Sequence, residues 1–159
     1  MTSTARPSLG HVHLKVRHLD RTVDFYTSNL GFEVTELTRP FAFLSWGDRH
    51  HDLALQELGP DTPHPGAGVG LYHVAFEVSD ERTLSALYYD LRDDGVAVTP
   101  VDHGISKALY FDDPGGIGLE VYLDTRSHPD QQWDNRSTPF DPTVDCRPDR
   151  SDSSSDGDE

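Results

Sequence analysis

Hydrophobic and polar residues alternate in two separate stretches of the chain, one starting at His11 and the other at His73. Each stretch is followed by an Asp or Ser helix-start signal, a segment with apolar residues at helical spacing, and then a glycine, Gly31 or Gly95. Alternation is typical of a strand with one buried face, and glycine commonly follows the end of a helix. The pattern therefore predicts two repeated β-α units.

Short extended stretches follow each predicted helix. They lie around residues 32–37, 42–46 and 52–57 in the first copy and around 96–101, 108–111 and 118–123 in the second. Asp112, Pro114, Gly115 and Gly116 predict a tight turn between the last two strands. We expect an α+β fold in which two βαβββ modules, at about residues 9–58 and 71–123, form a curved mixed sheet around a cleft.

Apolar periodicity fades from Asp124 onward. We expect a single domain over residues 1–126 and an irregular extension over 127–146, in which Trp133 and Phe140 drape over the domain. Residues 147–159 are strongly polar and acidic, and burial of their few apolar groups cannot repay the entropy cost of ordering them. This last segment is predicted to be a disordered tail.

The 159-residue chain has 28 acidic against 13 basic side chains and a formal net charge of -15, so nucleic acid is not an expected partner. No apolar run approaches the roughly 20 residues that cross a bilayer, and the start of the chain lacks the apolar core of a signal peptide. We expect a cytoplasmic protein without membrane contact. Its Asp-rich, Lys-poor composition resembles that of halophilic proteins. With Cys146 as the sole cysteine, any metal must be held by His and carboxylate groups.

Strand parity places His11, His73 and Glu120 on the side that faces the cleft. In the first module Ala54 occupies the position that Glu120 has in the second, so no fourth ligand is expected. Two imidazoles and one carboxylate are typical of non-haem Fe(II) oxygen chemistry. We expect these three groups to form a metal site in the cleft, with His13 as a rival ligand because it shares the parity of His11. The structural alternative is two half-buried strand histidines and a solvated carboxylate.

The other histidines carry no predicted metal role. His50 and His51 are neighbours, and adjacent strand residues face opposite ways, so we expect hydrogen bonds at the strand end and not a shared ion. His18, His64 and His128 lie in loop-like sequence and are expected to be solvated.

The segments HVHLKV, YHVAFEV and LEVY, set in the paired βαβββ pattern, resemble the vicinal oxygen chelate superfamily over about Gly10–Leu123. This superfamily includes glyoxalases, bleomycin resistance proteins and extradiol dioxygenases. The stretch DHGISKALYFDDPGGIGLEVY is similar to the catalytic half of type I extradiol catechol 2,3-dioxygenases. The resemblance implies catalytic roles for His103 and Tyr110 beside the metal ligand Glu120. Tyr110 would hydrogen-bond a substrate oxygen, and His103 would donate to developing charge near the metal.

The resemblance further implies an oxidoreductase that uses Fe(II), or alternatively Mn(II) or another divalent metal, to cleave a catechol-type vicinal diol with O2. It is also compatible with a homodimer. Ser45, however, stands where the dioxygenases carry a histidine, and a serine hydroxyl does not titrate near neutral pH. Two alternatives therefore stay open. One is another metalloenzyme of the superfamily, a glyoxalase or a fosfomycin-type thiol transferase, and the other is a non-catalytic module that binds a small molecule.

Overall fold

The computed structural model of the chain describes residues 6–126 and 132–145. They group into two compact units, one made of the chain up to Gly70 with the turn Asp112–Ile117, the other of Leu71–Phe111 and the chain from Gly118 onward. The predicted tail over 147–159 and His128 lie outside the described residues. Across the described ranges, no helix has both the length and the apolar character needed to cross a membrane.

The first unit is a four-stranded mixed sheet with one helix against it. Its strands are in the order β1-β4-β3-β2, with β1 and β4 parallel and the other pairs antiparallel. The helix contacts β2, β3 and β4. The elements are β1 Val12–Val16, α1 Leu19–Leu30, β2 Glu33–Thr38, β3 Phe41–Ser45 and β4 Leu53–Glu57.

The second unit repeats this arrangement and adds one strand. Its order is β5-β8-β7-β6-β9, with β5 and β8 parallel, and α2 contacts β5 and β8. The elements are β5 Val74–Val78, α2 Glu81–Asp93, β6 Thr99–Asp102, β7 Ser106–Asp112, β8 Gly118–Asp124, β9 Thr138–Pro139 and α3 Pro142–Asp145. The predicted pair of βαβββ modules is confirmed, with one mixed sheet in each.

Strand register is the same in the two modules. His13 lies opposite Ala54 on the parallel pair β1/β4, and Ala75 lies opposite Glu120 on the parallel pair β5/β8. Ala54 and Glu120 are therefore equivalent positions, as the repeat predicted. Along β1, Leu14 and Val16 are buried whereas His13 and Lys15 are exposed, which confirms the predicted alternation.

The two helices begin differently. Asp80 starts α2 as predicted, because its carboxylate accepts the Thr83 backbone N–H at 2.7 Å. The first helix does not start at an Asp or Ser: His18 is the N-cap residue and makes no side-chain capping bond. Instead the Glu57 carboxylate, from the end of β4, accepts the N–H of Leu19 at 2.9 Å. A distant strand thus satisfies a helix end that local sequence leaves open.

The turn between β7 and β8 is organised by Asp113, which the sequence did not single out. Its Oδ1 accepts the backbone N–H groups of Gly115 at 2.8 Å and Ile117 at 3.0 Å. Its Oδ2 accepts the hydroxyl of Tyr26, a fully buried residue of α1, at 3.2 Å. Burial raises the pKa of Asp113 and that of the Tyr26 hydroxyl. The predicted turn is present, and Gly116 adopts the left-handed φ of 88°.

Part of the predicted extension joins the second sheet. Strand β9 runs antiparallel to β6, with Val101 opposite Pro139 and Asp102 opposite Thr138. The short helix α3 contacts α2, and its first residue, Pro142, is buried. We call residues 132–140, which include β9, the strap.

Candidate metal and catalytic site

His73 and Glu120 lie side by side in the second unit. His73 directly precedes β5, and Glu120 lies in the middle of β8, its parallel neighbour. The His73 Nε2 and Glu120 Oε2 atoms are 2.9 Å apart, and the two side chains are 29% and 12% exposed. The parallel pairing of two apolar strands therefore brings an imidazole and a carboxylate, far apart in sequence, into direct contact.

Gly118 permits this approach. A Cβ atom at residue 118 would lie 2.7 Å from the carbonyl oxygen of Tyr72 and 3.5 Å from the Cβ of His73. The first of these distances is far below an ordinary contact and involves backbone on both sides. Glycine is thus needed at the start of β8 for the chain carrying His73 to pass this close.

The predicted groups Tyr110 and His103 extend the contact into a chain of hydrogen bonds. The Tyr110 hydroxyl donates to Glu120 Oε1 at 2.9 Å, so the two carboxylate oxygens have different partners. The His103 Nε2 atom lies 3.0 Å from the same hydroxyl. The order along the series is His103, Tyr110, Glu120, His73: hydrogen-bond contacts join the first three, and the last two are in ion-pair contact.

The environment of Tyr110 keeps its hydroxyl protonated. Burial, reinforced by the hydrogen bond to the Glu120 carboxylate and by its charge, raises the pKa of Tyr110 well above that of an ordinary tyrosine. At neutral pH the residue is a phenol that can donate one hydrogen bond. In this unit the structure brings together four of the five predicted site residues.

The pair His73 and Glu120 fits a metal ion as two adjacent ligands. Imidazole and carboxylate ligands bind divalent metals at about 2.1 Å, so neighbouring donor atoms in one coordination sphere are about 3 Å apart. The observed 2.9 Å between Nε2 and Oε2 meets this requirement. The third predicted ligand, His11, belongs to the first unit. Among residues 6–126 and 132–145 no cluster of three or more His, Cys, Asp or Glu side chains is arranged to hold an ion. The three-ligand site therefore stays a prediction.

His11 packs against His51 in the first unit, with ring centroids 4.5 Å apart. The Nδ1 atoms of His50 and His51 are 2.9 Å apart. The expectation that these neighbours face opposite ways was wrong, because β4 begins only at Leu53 and both histidines lie in the loop before it. Desolvation, together with the adjacent His11 and His50, lowers the pKa of His51.

Ser45 takes part in the structure of the same loop. It is 1% exposed, its hydroxyl donates to the Arg49 carbonyl at 2.8 Å, and it accepts the Gly47 N–H at 2.9 Å. Ser45, at the position where the resemblance implies a histidine, is therefore a turn-forming residue. Nearby, the rings of His13 and Phe41 pack edge to face, with their centroids 6.1 Å apart. His13, the rival ligand, is therefore an aromatic neighbour of Phe41.

Sequence reasoning missed the groups that hold His103. Its Nδ1 atom lies 3.0 Å from the carbonyl oxygen of Arg136 and 3.2 Å from the Ser137 hydroxyl, and its ring meets Trp133 edge-on at 6.5 Å. All three residues belong to the strap. The local sequence of the strap has no signal for this contact beyond an aromatic residue among polar ones.

Comparison with known proteins places the chain in a family. The profile of the Glyoxalase/Bleomycin resistance protein/Dioxygenase superfamily matches residues 8–121. The chain is 35% identical over 117 residues to "Catechol-2,3-dioxygenase" of Bacillus subtilis (strain 168), covering 73% of this chain and 41% of that protein. It is 33% identical over 140 residues to "Biphenyl-2,3-diol 1,2-dioxygenase 3" of Rhodococcus globerulus, covering 82% of this chain and 70% of that protein.

A solved glyoxylase/bleomycin resistance protein/dioxygenase domain from Frankia sp. EAN1pec has the same fold, with a TM-score of 0.66 and 29% identity. The match covers 78% of this chain and 96% of the Frankia chain. Because the family profile spans most of the described residues, the chain belongs to the glyoxalase/bleomycin resistance/dioxygenase superfamily, also called the vicinal oxygen chelate superfamily.

Proposed function

We propose that this chain is an Fe(II)-dependent extradiol dioxygenase, which opens the ring of a catechol-type vicinal diol with O2. His11, His73 and Glu120 would hold the metal, and Mn(II) is the alternative ion. The superfamily also contains glyoxalases and bleomycin resistance proteins, so membership alone does not select this reaction. Two named relatives that are extradiol dioxygenases support it, although the chain spans less than half of the Bacillus enzyme.

The observation that carries the proposal is the polar series His103, Tyr110, Glu120, His73. A carboxylate that serves only as a surface charge needs neither a half-buried tyrosine nor a histidine behind it. Partners of this kind orient a metal ligand and tune its basicity. In the proposed reaction the same hydroxyl and imidazole would be available to hydrogen-bond the oxygens of a bound diol.

Each residue has a separate task in the proposed reaction. A metal held by His11, His73 and Glu120 would supply positions at which both oxygens of the diol chelate it and O2 binds beside them. Tyr110 holds one carboxylate oxygen of Glu120, which leaves Oε2 facing His73. The Tyr110 oxygen would also orient the substrate by accepting a hydrogen bond from one of its hydroxyls. His103, 3.0 Å behind the Tyr110 hydroxyl, would donate a hydrogen bond to the charge that develops on the substrate.

A non-catalytic module that binds a small aromatic molecule is the second candidate. It is favoured by Ser45, which is buried and fully engaged in its loop. The serine hydroxyl does not titrate near neutral pH, so Ser45 cannot move protons during oxygen chemistry as a histidine could. Under this alternative the same cleft residues would bind a ligand and leave it unchanged.

Reconstitution under anaerobic conditions separates the candidates. The purified chain is loaded with Fe(II), mixed with a panel of catechols, and then exposed to air. A dioxygenase consumes one O2 per diol and produces the yellow ring-opened product, measured by an oxygen electrode and by visible absorbance. Ligand binding without O2 uptake across the panel would contradict ring cleavage and support the binding module.

The metal assignment is tested in parallel on two carboxylates of the same sheet. Glu120→Ala is expected to lower Fe(II) retention by about a hundredfold, as loss of a direct ligand exceeds the usual effect of losing a ligand's partner. Glu77→Ala removes the same charge from β5, where the carboxylate only accepts the Tyr122 hydroxyl at 3.2 Å, and should retain metal like the unaltered chain. Equal retention in the two variants would refute Glu120 as a ligand.

A further inference from the structure

The strap meets the candidate site at a single residue, His103. Strand β9 fixes the end of the strap by pairing with β6, directly before His103 in the chain. The other end carries Trp133, whose ring meets the imidazole edge-on. Between them Arg136 presents its backbone carbonyl oxygen to His103 Nδ1 at 3.0 Å.

A carbonyl oxygen can only accept a hydrogen bond. A favourable contact with the Arg136 carbonyl therefore requires that His103 Nδ1 carry a proton, and the Ser137 hydroxyl 3.2 Å away then acts as an acceptor. The other ring nitrogen, Nε2, faces the Tyr110 hydroxyl at 3.0 Å. In the neutral ring Nε2 is an acceptor, so the single Tyr110 proton can serve either Nε2 or Glu120 Oε1. Once Nε2 takes up a proton, it can donate to Tyr110 while Tyr110 donates to Glu120. The neutral imidazole of free histidine prefers the opposite tautomer, so the contact selects the less common form.

The Arg136 carbonyl is itself held in place by the strap. It also accepts the indole N–H of Trp133 at 3.3 Å. The Arg136 backbone N–H donates to the Asp134 carboxylate at 3.0 Å, which closes a tight turn. Asn135, at the centre of that turn, has a left-handed φ of 70°, the only positive value at a non-glycine position within residues 6–126 and 132–145. The direction of the carbonyl thus depends on a residue that does not touch His103.

We infer that the strap sets the tautomer and orientation of His103, with the Asn135 turn and Trp133 as positioning residues and the Arg136 carbonyl as the group that binds Nδ1–H. The inference about the tautomer rests on the contacts alone. Its consequence for catalysis rests on the proposed function, because only in that reaction does His103 act through Nε2 and Tyr110.

The test compares two substitutions at one position. Asn135→Val places a β-branched side chain at a left-handed φ, which displaces the turn and its carbonyl. Asn135→Gly accepts that φ without strain and should behave like the unaltered chain. Trp133→Ala provides a second route if Asn135→Val does not fold, because it removes both the ring contact and the indole donor.

The first readout is ¹⁵N NMR of the imidazole nitrogens in the metal-free full chain, at a pH where the ring is neutral. His103→Gln identifies the signals. We expect His103 to be protonated at Nδ1 in the unaltered chain and in Asn135→Gly. In Asn135→Val and Trp133→Ala we expect a mixture of the two tautomers. An Nε2-protonated ring in the unaltered chain, or an unchanged tautomer in both disruptive variants, would overturn the inference.

The second readout is turnover of the Fe(II)-loaded chain. Asn135→Val should lower kcat about tenfold, the range seen when a partner that orients a functional group is lost, with little change in KM or metal content. A tautomer shift with no turnover in any variant, including the unaltered chain, would support the role of the strap and refute the proposed function. A shifted tautomer with unchanged kcat in an active enzyme would refute the catalytic consequence.

Discussion

The two modules have the same strand order and register but carry different chemistry at equivalent positions. In the second module Glu120 is hydrogen-bonded by Tyr110 from the neighbouring strand. In the first module the equivalent position is Ala54, which is 1% exposed and lies opposite Phe43. An alanine and a phenylalanine stand where the other copy has a carboxylate and a tyrosine.

The two modules share the sheet face that packs against the helix and differ on the opposite face. The apolar faces that pack against α1 and α2 are similar in the two copies, because each sheet must bury one side against its helix. The opposite faces are not bound by that requirement. The second copy has a polar series there, whereas the first has His11, His51 and aromatic rings. Polar, reactive side chains can therefore be present in one module while the packing of helix against sheet stays the same in both.

The largest expected effect comes from making the first module resemble the second. Ala54→Glu should lower the free energy of unfolding by about 3 kcal/mol, because it buries a carboxylate that has no hydroxyl donor. Adding Phe43→Tyr should recover about 1 kcal/mol by supplying that donor. Denaturant unfolding measures both changes in the free energy of unfolding. Val34→Glu, at an exposed position of β2 opposite Leu44, is the control and should change stability by less than about 0.5 kcal/mol. A destabilisation as small as that of the control would contradict the buried, donor-free character of the Ala54 position.

Gly118 is the next target, because the equivalent residue in the first module is Asp52, which has a side chain. Gly118→Ala should cost about 1–3 kcal/mol, since the new Cβ would meet backbone at 2.7 Å and the chain must shift. Shifting Tyr72 and His73 should also weaken metal retention. Gly115→Ala, in the adjacent turn where a Cβ would meet a carboxylate oxygen at 3.2 Å, is the milder comparison. If Gly118→Ala has the same free energy of unfolding and the same metal content as the unaltered chain, the close approach of the Tyr72 backbone does not require glycine at position 118.

Removal of one hydroxyl tests whether the polar series serves function more than stability. Tyr110→Phe should lower turnover of the Fe(II)-loaded chain about tenfold, equivalent to about 1.4 kcal/mol of activation free energy. Thermal stability should change little, because the hydroxyl is also near water. Tyr122→Phe, which removes the hydroxyl bonded to Glu77, should leave turnover unchanged. Equal turnover of Tyr110→Phe and the unaltered chain would argue against a catalytic tyrosine.

A substitution at the start of α1 should stabilise the chain, by less than the preceding variants destabilise it. α1 lacks a side-chain cap at His18, whereas Asp80 caps α2. His18→Ser should raise the free energy of unfolding by about 0.5 kcal/mol by supplying an acceptor to the first turn. Thermal unfolding measures the change, and His18→Ala serves as the control without an acceptor. A lower stability for the serine variant than for alanine would mean that Glu57 already satisfies the helix end fully.

Acid should weaken the start of α2. The Thr83 backbone N–H, with the Thr83 and Ser79 hydroxyls, lowers the pKa of Asp80. A carboxyl whose folded pKa is depressed contributes stability above its unfolded pKa, and that contribution is lost as pH falls through the folded value. Asp80→Asn should therefore reduce the slope of stability against pH in the acid range, with little change at neutral pH. Denaturant unfolding at several pH values measures the slope, and Asp24→Asn, on the exposed side of α1, is the control.

Much of the fold was predictable because strand parity and repeated glycine stops are local signals. Parity and parallel pairing also suffice to predict that His73 and Glu120 share a face. The Glu57 bond to Leu19, the turn contacts of Asp113 and the strap around His103 were not predicted. Each depends on groups brought together only by tertiary packing, and each involves a polar partner that pattern analysis cannot assign. The opposite facing of His50 and His51 was mispredicted because both were treated as strand residues, whereas both lie in the loop before β4; the expected hydrogen bond at the strand end is present.

The Asp113 turn determines how this chain can be cut for experiments. Residues 112–117 group with the first unit, although the strands on either side belong to the second sheet. A fragment beginning after Gly70 would retain the acid of the Tyr26–Asp113 pair but lose its phenol. Splitting the duplication into its halves would therefore part the Asp113 carboxyl from the Tyr26 hydroxyl and leave it the backbone donors of its own turn, so complementation by two separately expressed pieces should require both to be present during folding.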